Sequence, residues 1–203
     1  MNSNLLIIFI KNPILGNVKY RIASEIGDIE ALRLYKILLK KTKDICDQLK
    51  IPKAVFYSDF IDMYDIWDNT EYQKYVQEGV EIRERMKNCL KLSFDKGYRR
   101  VVLVGGDVWG LNPNTLMRAF QVIDQQDVVI GPALDGGYYL IGMTKLIEPV
   151  FQNKHWGTNK VLEQTVNDLA SQNITYGTID SLPNIDNLKD LEYLNEYRYG
   201  KCS

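Results

Sequence analysis

The chain has 203 residues, 45% of them hydrophobic and 25% charged, with a formal net charge of -1. That is the composition of a globular protein with a sizeable core, and so balanced a charge argues against nucleic acid as a partner. One histidine, His155, and three scattered cysteines, Cys46, Cys89 and Cys202, nearly exclude a Cys/His zinc site and any mechanism that needs two histidines. Unpaired thiols without C-x-x-C spacing suit a reducing cytoplasm. The first apolar run, Leu5 to Ile10, is too short for a signal peptide or a membrane span, so no membrane association is expected.

In chain order, "LLIIFI" (Leu5–Ile10) has the continuous apolar pattern of a strand covered on both faces. A helix follows from Asp28, read as its cap, to about Gln48, with Leu32, Tyr35, Leu38 and Leu39 at helical spacing. "KAVFYSD" (Lys53–Asp59) is a second strand, and "FIDMYDIWDNTEY" after it is either a lid or a folded excursion. The next helix spans about Val80 to Lys96, with Ile82, Met86, Leu90 and Phe94 on one face. "RVVLVGGD" (Arg100–Asp107) is another buried strand, and Asn112-Pro113 caps the helix that "NTLMRAFQVI" continues. "DVVIGP" and "YYLIGM" are strands on either side of Asp135-Gly136-Gly137. Thr158 to Ser171 reads as a helix and "NLKDLEYLNEY" as the last one. No repeat or linker interrupts the chain, so one domain is expected over 1–203. Strands alternating with helices predict an α/β fold with a mainly parallel sheet, whose ligands bind beyond the carboxyl ends of the strands.

Three loops that leave strand ends carry chemistry. "KNPILGNVKYRIA" sets Lys11, Lys19 and Arg21 around Gly16, a residue free to take positive φ. Glycine and cations after a first strand can hold phosphates, although neither common phosphate-loop pattern is present, and alone the segment reads as a solvated basic loop. "VVLVGGDVWGL" ends a buried strand on Asp107, a costly position unless the carboxylate is hydrogen-bonded or meets a cation. Gly105 and Gly106 leave room for a ligand there. Asp107 is thus a candidate for Mg²⁺, which takes one or two carboxylates plus substrate phosphates; the alternative is a turn or capping aspartate. The third loop, Asp135-Gly136-Gly137, is by itself a turn. The aromatics behind it, Tyr138 first, can flank a base or sugar, which would make Asp135 a second acid near the same crevice. His155 reads as a loop-packing histidine.

Five segments in one order resemble a known pattern. "FIKNPILGNVKYRIA" follows F-x-K-x-P-x-x-G-x-V-K-T-R-L-A, and "QEGVEIRERM" follows Q-x-G-D-L-G-E-R-M. "DVVIGPALDGGYYLIGM" matches almost throughout, "FQNKHWGTNKVLEQT" carries the tryptophan and V-L-x-x-T, and "LPNIDNLKDL" fits the L-x-D-[IV]-D-T-x-x-D-L ending. The chain resembles the bacterial glycosyltransferase-A-like family labelled radical-SAM/selenodomain-associated transferase, in the nucleotide-diphospho-sugar transferase superfamily. More distantly it is similar to phospholactate and molybdenum-cofactor guanylyltransferases.

The resemblance implies a three-layer α/β/α sandwich with a mainly parallel central sheet. It implies Asp107 as the acid that binds Mg²⁺ or Mn²⁺, and Asp135 and Asp186 as further, catalytic acids. Lys11, Gly16, Lys19, Arg21, Gly136, Gly137 and Tyr138 would meet a nucleotide or nucleotide-sugar donor. Trp156, Thr158 and Asn159 would face a small-molecule acceptor. Departures from the pattern are Tyr20 for a threonine, Val108 and Trp109 for cysteine and proline, and Arg83 for a glycine, with bulk enough to fill ligand space. The leading expectation is a metal-dependent transferase acting on a nucleotide-activated donor, by glycosyl transfer from a nucleotide sugar. Nucleotidyl transfer from a nucleoside triphosphate and a nucleotide-binding protein that has lost catalysis are the alternatives.

Overall fold

The computed structural model describes residues 3–152, 154 and 156–194. The apolar runs become strands β1 (Asn4–Ile10), β2 (Lys53–Tyr57), β4 (Arg100–Gly105), β5 (Val128–Pro132) and β6 (Tyr138–Met143). Two more were not foreseen, β3 (Tyr72–Val76) and β7 (Tyr176–Thr178). They are the edges of a seven-stranded sheet in the order β3-β2-β1-β4-β6-β5-β7. An edge strand is covered on fewer sides, so "YQKYV" and "YGT" carry no apolar run to announce them.

Pairing is parallel except at β6, which runs antiparallel to both β4 and β5. Successive side chains of a strand point to opposite faces, and the core divides accordingly. Leu6, Ile8, Ile10, Val55, Val102 and Val104 join one apolar cluster; Leu5, Ile7, Ala54, Phe56, Val101 and Leu103 join the other. Helices α2 (Asp28–Cys46) and α4 (Pro113–Val122) cover the first face through Tyr35, Leu39, Leu116 and Phe120. Helices α3 (Ile82–Asp95) and α5 (Val161–Ser171) cover the second through Met86, Leu90 and Leu169. The result is the expected α/β/α sandwich.

Several boundaries move for local reasons. Asp28 is not a cap: the short α1 (Tyr20–Ile26) turns into α2 at Gly27, whose φ of 86° makes the corner. Asp28 then lies in the first turn of α2, where a helix end favours negative charge. Asn112 caps α4 as expected, accepting from the Thr115 N–H at 3.0 Å. Helix α5 begins at Val161 because residues 157–160 form a turn. The segment after β2 is a folded excursion: Trp67 is 1% exposed, and Asp65 accepts from the Tyr57 hydroxyl and the Lys74 ammonium. In the final segment Asn187 caps a 3-10 turn at Leu188–Asp190, and 191–194 are helical; 195–197 lie outside the described residues, as do His155 and Cys202. Cys46 and Cys89 are buried free thiols, and burial pushes Cys46 up to about 12. No described helix is long and apolar enough to cross a membrane.

At the carboxyl end of β4 the sheet meets α2 with almost no clearance. A Cβ on Gly106 would lie 2.3 Å from Ile10 Cγ2 and 2.9 Å from Leu39 Cδ2. The Gly106→Ala protein should therefore lose about 1–3 kcal/mol through overpacking, read as a lower urea midpoint. An unchanged midpoint would show that this contact yields freely.

Candidate active site

Side-chain hydrogen bonds hold the strand ends together before any functional group is placed. The Tyr35 hydroxyl, on α2, accepts from the Lys11 N–H at 3.0 Å and donates to the Lys11 carbonyl at 3.1 Å. Burial, and then the nearby Asp107 charge, push that phenol's pKa well up, so it stays a donor. Asn12, 1% exposed, accepts from the Asp59 N–H and donates to the Phe60 carbonyl, sewing the loop after β1 to the one after β2. The Gln77 amide donates to the Ile10 and Phe56 carbonyls at 2.8 and 2.9 Å. With three strand ends fixed, the loops beyond them enclose a cleft of about 850 Å³.

At the charged end of this cleft Lys19 reaches between two acids. Its Nζ is 2.6 Å from Asp107 Oδ2 and 3.1 Å from Asp186 Oδ1, and its side chain is only 6% exposed. Burial alone would lower its pKa, but the Asp107 and Asp186 charges outweigh that and raise it above 10.5. The backbone supports the reach: Lys19 has φ 49°, in the left-handed region, which is uncommon for a side-chain-bearing residue. Asp107 follows Gly105 and Gly106 off β4. Asp186 follows fully buried Ile185, and Asp190 accepts from its N–H at 2.8 Å.

The Asp135 turn joins β5 to β6 as a hairpin, so the turn reading holds, and it also faces the cleft. Asp135 Oδ1 accepts from the Gly137 N–H at 2.9 Å, and Oδ2 accepts from the Asn184 amide at 2.7 Å. Asp135, Gly137 and Tyr138 line the cleft, together with Trp156, Thr158 and Asn159 from the segment packed against the turn. Lys11 and Arg21 also line it, with the Lys11 Nζ 4.9 Å from the centre of the Tyr20 ring. Gly16 and Gly136 do not. Gly136 has φ 88°, and a Cβ there would strike the Asn159 carbonyl oxygen at 2.2 Å, so its role is the close packing of the two walls.

The wall that bears Trp156 is tethered by buried Lys154, whose Nζ donates to the Pro149 and Gln152 carbonyls at 2.9 and 3.1 Å and pairs with Asp168 of α5. Arg83 does not line this cleft: its Nε pairs with Glu81 at 2.8 Å, and it lines a separate, smaller hollow. Arg85 lines the main cleft instead, donating to the Gly79 and Ser58 carbonyls. Val108 is buried in the core, and Trp109 has the Lys41 Nζ 3.8 Å from its ring centre. Sequence reasoning missed Tyr35, Asn12, Gln77, Arg85 and Asn184, although the last four stand inside motifs already singled out.

No group of three or more His, Cys, Asp or Glu that could hold a metal exists among the described residues. Asp107 and Asp186 nonetheless fit an ion of the Mg²⁺ type, which needs only one or two carboxylates when phosphates and water complete its shell. Both already bind one cationic group, and both keep solvent access, at 32% and 47%.

The fold has relatives among solved structures. A protein from Desulfovibrio desulfuricans G20, described as a candidate nucleotide-diphospho-sugar transferase, is similar at 27% identity and TM-score 0.89, covering 100% of this chain and 90% of its own. The fold is shared by the inositol-1-phosphate CTP transferase from T. maritima, at 13% identity and TM-score 0.59, covering 100% and 98%. It is also shared by Rv0371C from Mycobacterium tuberculosis H37Rv, solved as a manganese complex, at 13% identity and TM-score 0.55, covering 96% and 98%. No curated protein sequence matches the chain significantly. A family profile matches residues 44–158, a span that carries Asp107, Asp135 and Trp156. The chain therefore belongs to the family described as "Uncharacterized protein conserved in bacteria (DUF2064)".

Proposed function

We propose that the protein is a divalent-metal-assisted transferase that uses a nucleotide-activated donor, with glycosyl transfer from a nucleotide sugar as its reaction. The observation that carries this reading is the Lys19 ammonium held between Asp107 and Asp186 beyond the strand ends. The cleft there offers Lys11 and Arg21 as further cations. The Desulfovibrio relative and the manganese complex of a protein with the same fold support it.

In this reading Asp107 and Asp186 hold Mg²⁺ or Mn²⁺, which when bound neutralises charge on the leaving diphosphate. Lys19 keeps the two like charges together until metal and donor arrive, and then serves the phosphate oxygens with Arg21. Such preorganised cations act most strongly where negative charge grows in the transition state. Asp135 takes the proton of the acceptor hydroxyl, since each carboxylate oxygen keeps acceptor capacity beyond the one hydrogen bond it already makes. The acceptor oxygen bonds to the anomeric carbon as its bond to the diphosphate breaks, and nucleoside diphosphate leaves. Trp156, Thr158 and Asn159 orient the acceptor from the facing wall.

A second reading, nucleotidyl transfer from a nucleoside triphosphate, is favoured by the three cations of the loop after β1 and by the shared fold of the CTP transferase. The products separate the two: nucleoside diphosphate for the first, pyrophosphate for the second. Tight nucleotide binding with neither product would mark a protein without catalysis.

Three outcomes are expected. Asp107→Asn should abolish the metal dependence of nucleoside diphosphate binding while the fold survives; calorimetry showing equal wild-type affinity with Mg²⁺ and with chelator would reject the metal role. Asp135→Asn should lower kcat more than it raises KM, because the proton is taken in the transition state. Lys19 should show itself at high pH. A lysine whose folded pKa is raised contributes stability that is complete below the unfolded value and is lost as pH climbs through the folded one. Urea midpoints between about pH 10 and 12 should thus fall more steeply for wild type than for Lys19→Met. Parallel slopes would show that the cluster is not ion-paired in solution.

A further inference from the structure

Two polar hydrogens in the cleft wall have no partner among the described residues, and they belong to side chains that touch. Tyr138 opens β6, and Trp156 faces it from the tethered wall, with ring centroids 6.1 Å apart and planes at 78°. Both residues line the cleft. The Tyr138 Oη and Trp156 Nε1 are nevertheless sealed from water and make no hydrogen bond among the described residues. A third such atom, Thr42 Oγ1, lies on the buried face of α2 and away from the cleft.

An unmade buried hydrogen bond costs about 1–3 kcal/mol, and native structures keep few of them. Two on adjoining rings of one binding cleft call for an occupant. Chemistry narrows what it is. The indole N–H only donates, whereas the phenol both donates and accepts. Burial raises the Tyr138 pKa far above 10, so the phenol keeps its proton. The two rings pack against the core cluster that contains Met86, Leu103 and Ile141, each of which also lines the cleft. Lys19 and Asp107 line the same cleft, but their neighbours Val18 and Val108 belong to the cluster on the other face of the sheet. The corner is thus apolar with two donors, ill suited to an anion and well suited to a neutral ring bearing hydroxyls.

We propose that Tyr138 and Trp156 form a subsite for an uncharged hydroxylated ring, a sugar or cyclic polyol, whose entry turns the two rings enough for its oxygens to complete these two hydrogen bonds. The C–H face of such a ring packs on the aromatic wall, and a hydroxyl can accept from the indole while it gives to or takes from the phenol. The inference rests on the transferase reading, because the ring is either the sugar of the donor or the acceptor itself.

The test uses Tyr138→Phe and Trp156→Phe in the full chain. Without ligand, Tyr138→Phe should keep or raise Tm, since it removes an unsatisfied hydroxyl; a clear fall would show that the hydroxyl is bonded in the folded protein and would overturn the subsite. Calorimetry then compares UDP with UDP-glucose and GDP with GDP-mannose, all with Mg²⁺. A preference for the sugar-bearing nucleotide that drops about three- to tenfold in both variants, with diphosphate affinity unchanged, assigns the ring to the donor. Thermal stabilisation by free glucose, mannose or myo-inositol that is lost in both variants assigns it to the acceptor. Binding that is unchanged in both arms overturns the proposal. Wild-type protein that ignores every nucleotide but responds to a free ring through these two residues would sink the transferase reading while leaving the subsite standing.

Discussion

A single ammonium group ties together three stretches of chain that are remote in sequence. Lys19 comes from the loop after β1, Asp107 from the end of β4 and Asp186 from the loop that follows β7. An exposed ion pair contributes about 0–1 kcal/mol, but this lysine is almost wholly buried, so losing either acid would leave its charge poorly compensated. The pair of carboxylates is equally dependent on the lysine, because two negative groups converge on one point. The cluster consequently serves less as a source of stability than as a device that fixes one arrangement of the three loops. That arrangement defines the charged end of the cleft.

Hydrogen bonds of a different kind supply the footing. Tyr35, Asn12 and Gln77 each spend side-chain polar groups on backbone atoms at the ends of strands, where the sheet ladder no longer satisfies them. Their placement anchors the loop that carries Lys11 and Lys19 at the edge of the cleft. It also explains why the glycine pair after β4 is narrow: Gly106 leaves room for Ile10 and Leu39 and so carries Asp107 close over β1. Core packing and site geometry are here the same contact.

The parts of the molecule legible in the sequence are those with a strong local pattern. The buried strands announced themselves as apolar runs and the α4 cap as Asn-Pro, and the three loops rich in acids, cations and glycines do lie together around one cleft. The edge strands β3 and β7 did not, since half-exposed strands need no apolar run. Asp28 looked like a cap because the sequence does not show that Gly27 takes a positive φ. Arg83 and Arg85 are two residues apart on one helix and point to different hollows, a difference set by helix phase once α3 starts at Ile82. Gly136 looked ligand-facing, while its real constraint is the Asn159 backbone on a segment distant in sequence. Long-range contact of that kind leaves no local trace.

The tether at Lys154 has a mechanical consequence. The wall that bears Trp156 is clamped at one end by the Lys154 ammonium on Asp168, and at the other by Asn159 pressed on Gly136 and by the Leu162 N–H donating to the Gly136 carbonyl. A span fixed at both ends behaves as a beam rather than a flap: it passes a load along instead of absorbing it. The hairpin turn at Asp135–Gly137 therefore rests directly on the start of α5, backbone against backbone.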